Sequence, residues 1–227
     1  MKTLNRILGL SLFTAASFTH GLPMTEDPVK AAVNIDDNEL ILDSQYNSVT
    51  TYDSSRTIAT TGADIDRVTT YNESRFEANP GSKISYLSAE DQSAITAETG
   101  SDFAHLTGLK QSTINIFGGE ISWLRLYDQS VANITFADDL SWLILNDDAQ
   151  VNIYGKEFSY TGGHLSGVWE NGEAFSFWAY EETGQGPSAS SALPEGITLH
   201  FVDGPASMAL LGTGLLLLGR FRHGKNQ

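Results

Sequence analysis

Five side chains, Tyr86, Trp123, Arg125, Tyr127 and Trp142, bring flat rings and a guanidinium to spacings that set them on one outward surface. Aromatic faces suit the apolar faces of sugar rings, and Tyr and Trp add a polar handle for hydroxyls. They form a candidate glycan-binding row, although like residues stacked on neighbouring strands also serve as a purely structural ladder. Asp53, Asp91, Asp128 and Asp147 form a second candidate, recurring at one or two multiples of about nineteen residues with Asn72 and Lys110 between them. Carboxylates stacked at that spacing repel one another, and a calcium ion would neutralise them. Calcium is therefore the one cofactor this pattern admits. Asp and Asn at turns also cap backbone amides, which competes with metal binding, and Lys110 interrupts the column.

Catalysis has weaker support. Glycoside hydrolysis needs two carboxylates at a set separation, and Asp138, Asp139, Asp147 and Asp148 are the available group. Adjacent residues of a strand point to opposite faces, so neither Asp-Asp pair forms a dyad by itself. His105, His164 and His200 lack metal-ligand spacing. The sequence contains no Gly-x-Ser-x-Gly motif and no Gly-rich phosphate loop. The expectation is a non-enzymatic protein with no catalytic residues; a polysaccharide lyase or hydrolase is the distant alternative.

A repeat must position these residues. Val49, Val68, Leu87, Leu106, Leu124 and Leu143 head successive units of 18 or 19 residues. A second apolar column runs Ile65, Ile84, Phe103, Ile121, Leu140 and Phe158, and a Ser column runs Ser55, Ser74, Ser93, Ser112 and Ser130 before ending in Ala149. Ile114-Asn115-Ile116-Phe117-Gly118 recurs as Val151-Asn152-Ile153-Tyr154-Gly155. A unit this short cannot hold a helix pair. Its Thr, Val, Ile and Tyr runs, broken by Gly, Asn and Asp, suit short strands and tight turns. One unit alone exposes its apolar side, and stacking buries a continuous core. The fold class expected is all-β, a parallel β-solenoid (more in keeping with a right-handed β-helix) of about six coils. At about 4.8 Å per coil that is a rod of about 29 Å. The residue before each head, Arg67, Tyr86, His105, Trp123 and Trp142, then faces out, with Tyr127 outward on the strand of Trp123.

The flanks read as caps and addresses. Residues 22–48 are expected as an N-terminal cap, 49–159 as the solenoid and 160–202 as a C-terminal β cap. In that cap Asn171-Gly172 predicts a type I′ hairpin, whose Trp169, Phe175, Phe177 and Trp178 cover the last coil. Residues 1–21 have the three parts of a secretory signal: Lys2 and Arg6, the apolar run Ile7 to Ala16, then small residues. Residues 203–227 form a second tripartite segment: Asp203-Gly204-Pro205, an apolar stretch from Met208 to Gly219, and the bases Arg220, Arg222 and Lys225. Short apolar helices are expected in both.

The last 25 or so residues resemble the PEP-CTERM sorting signal of Gram-negative bacteria, through Pro205-Ala206-Ser207-Met208-Ala209-Leu210-Leu211-Gly212. Asp203-Gly204 stand where that family has Pro-Glu. The resemblance implies export machinery and an exosortase-type processing protease as partners, and transient inner-membrane anchoring through the apolar segment. It also implies a destination at the cell surface, outer envelope or exopolysaccharide matrix. The repeat itself is similar to ectodomains of the same sorting family.

Charge narrows the partners further. All 28 acidic residues lie between residues 22 and 204, whereas Lys2, Arg6, Arg220, Arg222 and Lys225 leave only 8 of 13 bases there, so the middle carries -20. Such a surface repels nucleic acid. With no cysteine, an exported form of this chain relies on backbone pairing and core burial alone. The function expected is a structural or adhesive surface or matrix protein, with a carbohydrate-binding module as the alternative.

Overall fold

The computed structural model describes residues 30–183, 186–188 and 192–202. The expected signal segment (1–21) and sorting tail (203–227), with their helices and Asp203, Gly204, Pro205, Arg220 and Arg222, lie outside the described residues.

The chain winds through seven coils of two strands each. These are β1 (Lys30–Asn34) with β2 (Glu39–Leu42), β3 (Gln45–Thr51) with β4 (Arg56–Ala59), and β5 (Asp64–Thr70) with β6 (Arg75–Ala78). β7 (Lys83–Ala89) with β8 (Ala94–Ala97), β9 (Asp102–Gly108) with β10 (Thr113–Phe117), and β11 (Glu120–Leu126) with β12 (Val131–Phe136) follow. β13 (Asp139–Leu145) with β14 (Gln150–Thr161) complete the stack. Each strand pairs in parallel with its counterpart one coil away, so Val49, Val68, Leu87, Leu106, Leu124 and Leu143 stand directly above one another. The fold is thus a parallel β-solenoid, as the repeat predicts.

It begins earlier than the repeat suggests. β1 and β2 already pair with β3 and β4, so the expected cap contributes a full coil from Lys30 onward. Divergent residues hide that coil in the sequence: Ala32 stands in the column headed elsewhere by Val or Leu, and Asn34 stands where the next two coils have Thr51 and Thr70.

Two turns close each coil. In the first, residues such as Tyr52 to Ser55 form a four-residue turn, with the Ser55 N–H donating to the Tyr52 carbonyl at 3.3 Å. Its second residue is left-handed: Asp53, Asn72, Asp91, Lys110, Asp128 and Asp147 all have φ between 55 and 59°. Asp and Asn tolerate that region better than other side chains. The second turn is built as Asn79-Pro80-Gly81-Ser82, with Gly81 at φ 81°. Pro presets its first central position and Gly supplies the positive φ of its second, the signature of a type II turn. A third direction change lies inside the seven-residue strands. The ladder skips Asp66, Ser85, Ala104, Ser122 and Ser141, and two neighbouring side chains face outward there.

Inside the coil, bulk is traded across the core. Along one inward column the residues shrink from Thr70 through Ala89 to Gly108 and then enlarge to Leu126 and Leu145. Across the interior the partners run Phe76, Ile95, Ile114, then Ala132 and Val151. A Cβ on Gly108 would lie 2.9 Å from Leu126 Cδ2 and 3.2 Å from Ile114 Cδ1, so glycine there makes room for both. From Gly108 with Ile114 to Leu126 with Ala132 the gain on one column is offset by the loss on the other, which keeps that part of the interior filled. The Ser column is buried as well and closes the first turn. Ser74 and Ser93 bond to Thr51 and Thr70 of the preceding coil at 3.1 and 2.9 Å. Ser55 Oγ has no such partner, because Asn34 turns its amide to the Arg56 carbonyl at 2.9 Å and to Thr57 Oγ1 at 3.0 Å.

The C-terminal end departs from the winding. β14 runs on into an antiparallel meander with β15 (His164–Trp169) and β16 (Ala174–Thr183). β16 then lies in parallel on β13, β17 (Gly186–Ser188) pairs back onto β16, and β18 (Ile197–Phe201) lies on β14. Phe158 therefore does not continue the apolar column after Leu140; it sits in the antiparallel part of β14, and β16 supplies the next layer. The Asn171-Gly172 hairpin forms, but not as type I′. Only Gly172 has positive φ, the Gly172 N–H donates to the Trp169 carbonyl and the Trp169 N–H to the Glu173 carbonyl, which is a type I turn with a glycine bulge. Trp169 and Phe177 are buried over the last coil, whereas Trp178 faces outward.

We expect Gly108→Leu to overpack the fifth coil and lower stability by about 1–3 kcal/mol. Gly108→Leu combined with Ile114→Ala should regain part of that loss in a denaturant melt, because the added volume then replaces volume removed.

Candidate functional site: an outward aromatic row and a capped acidic ridge

The two-residue corner of the long strands aims one column of side chains outward, and that column is aromatic for most of its length. Tyr86 stacks on His105 with centroids 4.7 Å apart, His105 on Trp123 at 6.2 Å and Trp123 on Trp142 at 5.0 Å. Trp142 continues onto Trp178 at 5.8 Å and Tyr180 at 5.7 Å. Interplanar angles from Tyr86 to Trp178 stay between 2 and 17°. The rings stack because the backbone ladder fixes their spacing near the optimum for offset stacking. Their faces cover one another, so a ligand laid along the row meets ring edges. Arg67 lies over Tyr86 at 5.9 Å and Arg125 over Trp123 at 5.2 Å.

Four of the five sequence-predicted residues, Tyr86, Trp123, Arg125 and Trp142, are brought together here. Tyr127 is not. β11 ends at Leu126, and Tyr127 opens the turn beyond it, in the column where Tyr52 and Tyr71 stack at 5.1 Å. Counting four residues along an assumed straight strand missed the turn. Trp178 and Tyr180 were invisible to the repeat, because the meander separates β16 from the periodic part of the chain.

The acidic column forms a ridge along the first turn, beside a shallow groove of about 780 Å³. Its polar groups are engaged with one another from coil to coil. The Asp128 carboxylate accepts the Lys110 backbone N–H at 2.9 Å, the Asp91 carboxylate accepts that of Asn72 at 3.4 Å, and the Asp147 carboxylate accepts that of Asp128 at 3.4 Å. Asn72 Nδ2 donates to Asp53 Oδ1 at 3.0 Å. Lys110 breaks the acidic run but not the bonding. Its ammonium lies 2.7 Å from Asp91 Oδ1 and 3.6 Å from Glu90. That ammonium, with the Asn72 N–H second, holds the Asp91 carboxyl below its usual range. Asp53, Asp91, Asp128 and Asp147 thus act as turn formers and amide acceptors. Among the described residues no group of three or more His, Asp or Glu side chains is placed to hold a metal ion.

Asp138, one of the four carboxylates available in the sequence for a hydrolytic pair, instead caps the second turns of the two preceding coils. Its Oδ2 accepts the N–H groups of Gly100 at 2.8 Å and Gly119 at 2.7 Å. No family model, curated protein or solved structure matches this chain. The site must be interpreted from its own geometry, and one further ladder belongs to it. Asn115, Asn133 and Asn152 pass amide hydrogen bonds at 2.9 Å each, and His200 Nε2 meets Asn152 Oδ1 at 3.0 Å. The motif of Ile114-Asn115-Ile116, recurring as Val151-Asn152-Ile153, was the sequence signal for it.

His105 lies between Tyr86 and Trp123, and burial, then the Arg125 charge, lowers its pKa below 6.5. The folded state therefore favours the neutral ring. Its contribution to stability is complete above pH 6.5 and declines as pH falls from 6.5 toward the lowered folded value. The melting temperature of the wild type should fall between pH 7.5 and 5.5, and His105→Gln should flatten that slope. For the ridge, Asp128→Ala should cost about 1–2 kcal/mol in a denaturant melt, losing both an acceptor and a residue tolerant of positive φ. Asp128→Gly should lose less, since it keeps the backbone conformation.

Proposed function

We propose that this chain is an exported, non-enzymatic surface or exopolysaccharide-matrix protein whose working part is the rod itself, structural or adhesive. One observation carries this reading: the polar and aromatic side chains along the rod bond mainly to their own counterparts one coil away. Stacked rings, the Asn ladder and the Asp ridge stiffen the axis and draw functional groups out into lines. The carboxylates that could have formed a hydrolytic pair, Asp138 with Asp139 and Asp147 with Asp148, are divided between two ridges, and Asp138 is bound to two backbone amides. A surface built this way suits a repetitive contact over its length or a spacer between attachment points.

Destination comes from the two terminal segments. The secretory-type start and the PEP-CTERM-like end support export, transient membrane anchoring and release by an exosortase-type protease near Pro205. Intact mass of the protein from a cell-surface fraction tests this. The expected species lacks the N-terminal signal and ends near Pro205. A chain recovered only with Arg220 and Arg222 still attached, in the inner-membrane fraction, would replace the sorting reading with simple anchoring.

A further inference from the structure

The outer face formed by the long strands differs in charge from the rest of the rod. Two columns point outward there, one running from Ala31 to Trp178 and the other from Val33 to Tyr180, and neither carries a carboxylate in any layer. The nearest acids in sequence lie at its borders: Asp66 at the corner beside Arg67, the strand-start column of Asp64, Asp102, Glu120 and Asp139, and the Asp ridge. Two of the eight bases of residues 22–204 fall on this face, Arg67 and Arg125. Neither forms an ion pair with a described residue, in contrast to Arg56 and Lys110, whose partners lie within 4 Å. Arg125 Nε is buried and has no hydrogen-bond partner among the described residues.

The ground between the two guanidiniums is hydroxylated. Thr69, Ser88 and Thr107 stand one coil apart, and the next residue of their column is Arg125. With Arg67, Tyr86 and His105 they line a hollow of about 140 Å³. Arg67 and Arg125 lie three coils apart, about 14 Å along the axis. An unpaired guanidinium presents a fork of donors suited to a planar carboxylate. A row of hydroxyls and aromatic edges suits the hydroxyls and C–H groups of an extended chain of sugars.

We propose that this face binds a carboxylate-bearing polysaccharide of the uronate class, laid along the rod axis, with Arg125 and Arg67 each taking a carboxylate. Thr69, Ser88 and Thr107 bond hydroxyls of the intervening sugars, and the aromatic edges border the chain. The inference rests on the adhesive part of the reading above and supplies the ligand that adhesion would require.

Titration calorimetry with oligogalacturonate and with its methyl ester tests it. Wild type should bind the carboxylate form at least about tenfold more tightly than the ester, since each charge-assisted bond carries roughly that much. Arg125→Gln and Arg67→Gln should each lose about tenfold, while Arg75→Gln, on the short strand β6 away from this face, should leave binding unchanged. Thermal melts confirm that each variant is folded, and Arg67→Gln carries the test if Arg125→Gln is not. No binding by wild type, equal binding of the ester, or binding indifferent to both Arg substitutions would overturn the proposal. Such a failure leaves the surface-rod reading intact, because that reading is decided by the mass and location of the mature chain.

Discussion

Backbone pairing between successive coils is the constraint from which the rest follows. Once each strand bonds in register to the strand one coil away, every side chain has its own counterparts as neighbours above and below, about 4.8 Å distant. A residue type is acceptable at a position only if it tolerates that company. Aromatic rings, amides and hydroxyls do, because they can stack or pass hydrogen bonds along the axis. Carboxylates do so only with help, and the structure supplies it: backbone N–H groups in left-handed turns, the Asn72 amide and the Lys110 ammonium all sit between them. The acidic column that invites a metal reading is thus a column of turn formers whose mutual repulsion is offset by donors from neighbouring coils.

The same constraint governs the interior. Where Gly108 gives way to Leu126 on one inward column, Ile114 gives way to Ala132 on the opposite one, so bulk changes sides of the interior at that point. Hydrophobic burial holds each coil shut, and facing columns share the interior space, as Gly108 leaves room for Leu126 and Ile114. Buried Ser and Thr contribute by linking one turn to the next, and the unpartnered Ser55 marks the place where the first coil, carrying Asn34, departs from the pattern.

Much of this was legible in the sequence because register converts spacing into contact. The heads from Val49 to Leu143, the Ser column and the outward aromatic column all sit where the repeat places them. What was lost was lost wherever periodicity fails. The coil from Lys30 was obscured by Ala32, in the repeat column of Val and Leu, and by Asn34, where the next two coils carry Thr. Trp178 and Tyr180 join the aromatic row only after a meander that breaks the count. Tyr127 was misplaced because a strand was extended across a turn. The amide contacts of Asp138 were not legible, because its partners, Gly100 and Gly119, belong to two preceding coils, and no local pattern announces a carboxylate reaching across both.

The meander after β14 has a consequence for how such a chain can vary. It ends the winding by geometry alone, folding the chain back and closing the interior with Trp169 and Phe177, and it takes no account of how many turns came before. Duplication of any in-register stretch of nineteen residues upstream would therefore extend the shaft by one step and leave its terminus untouched. Length is in this sense a freely adjustable dimension of the molecule, inherited in whole increments, while cross-section and ending stay fixed.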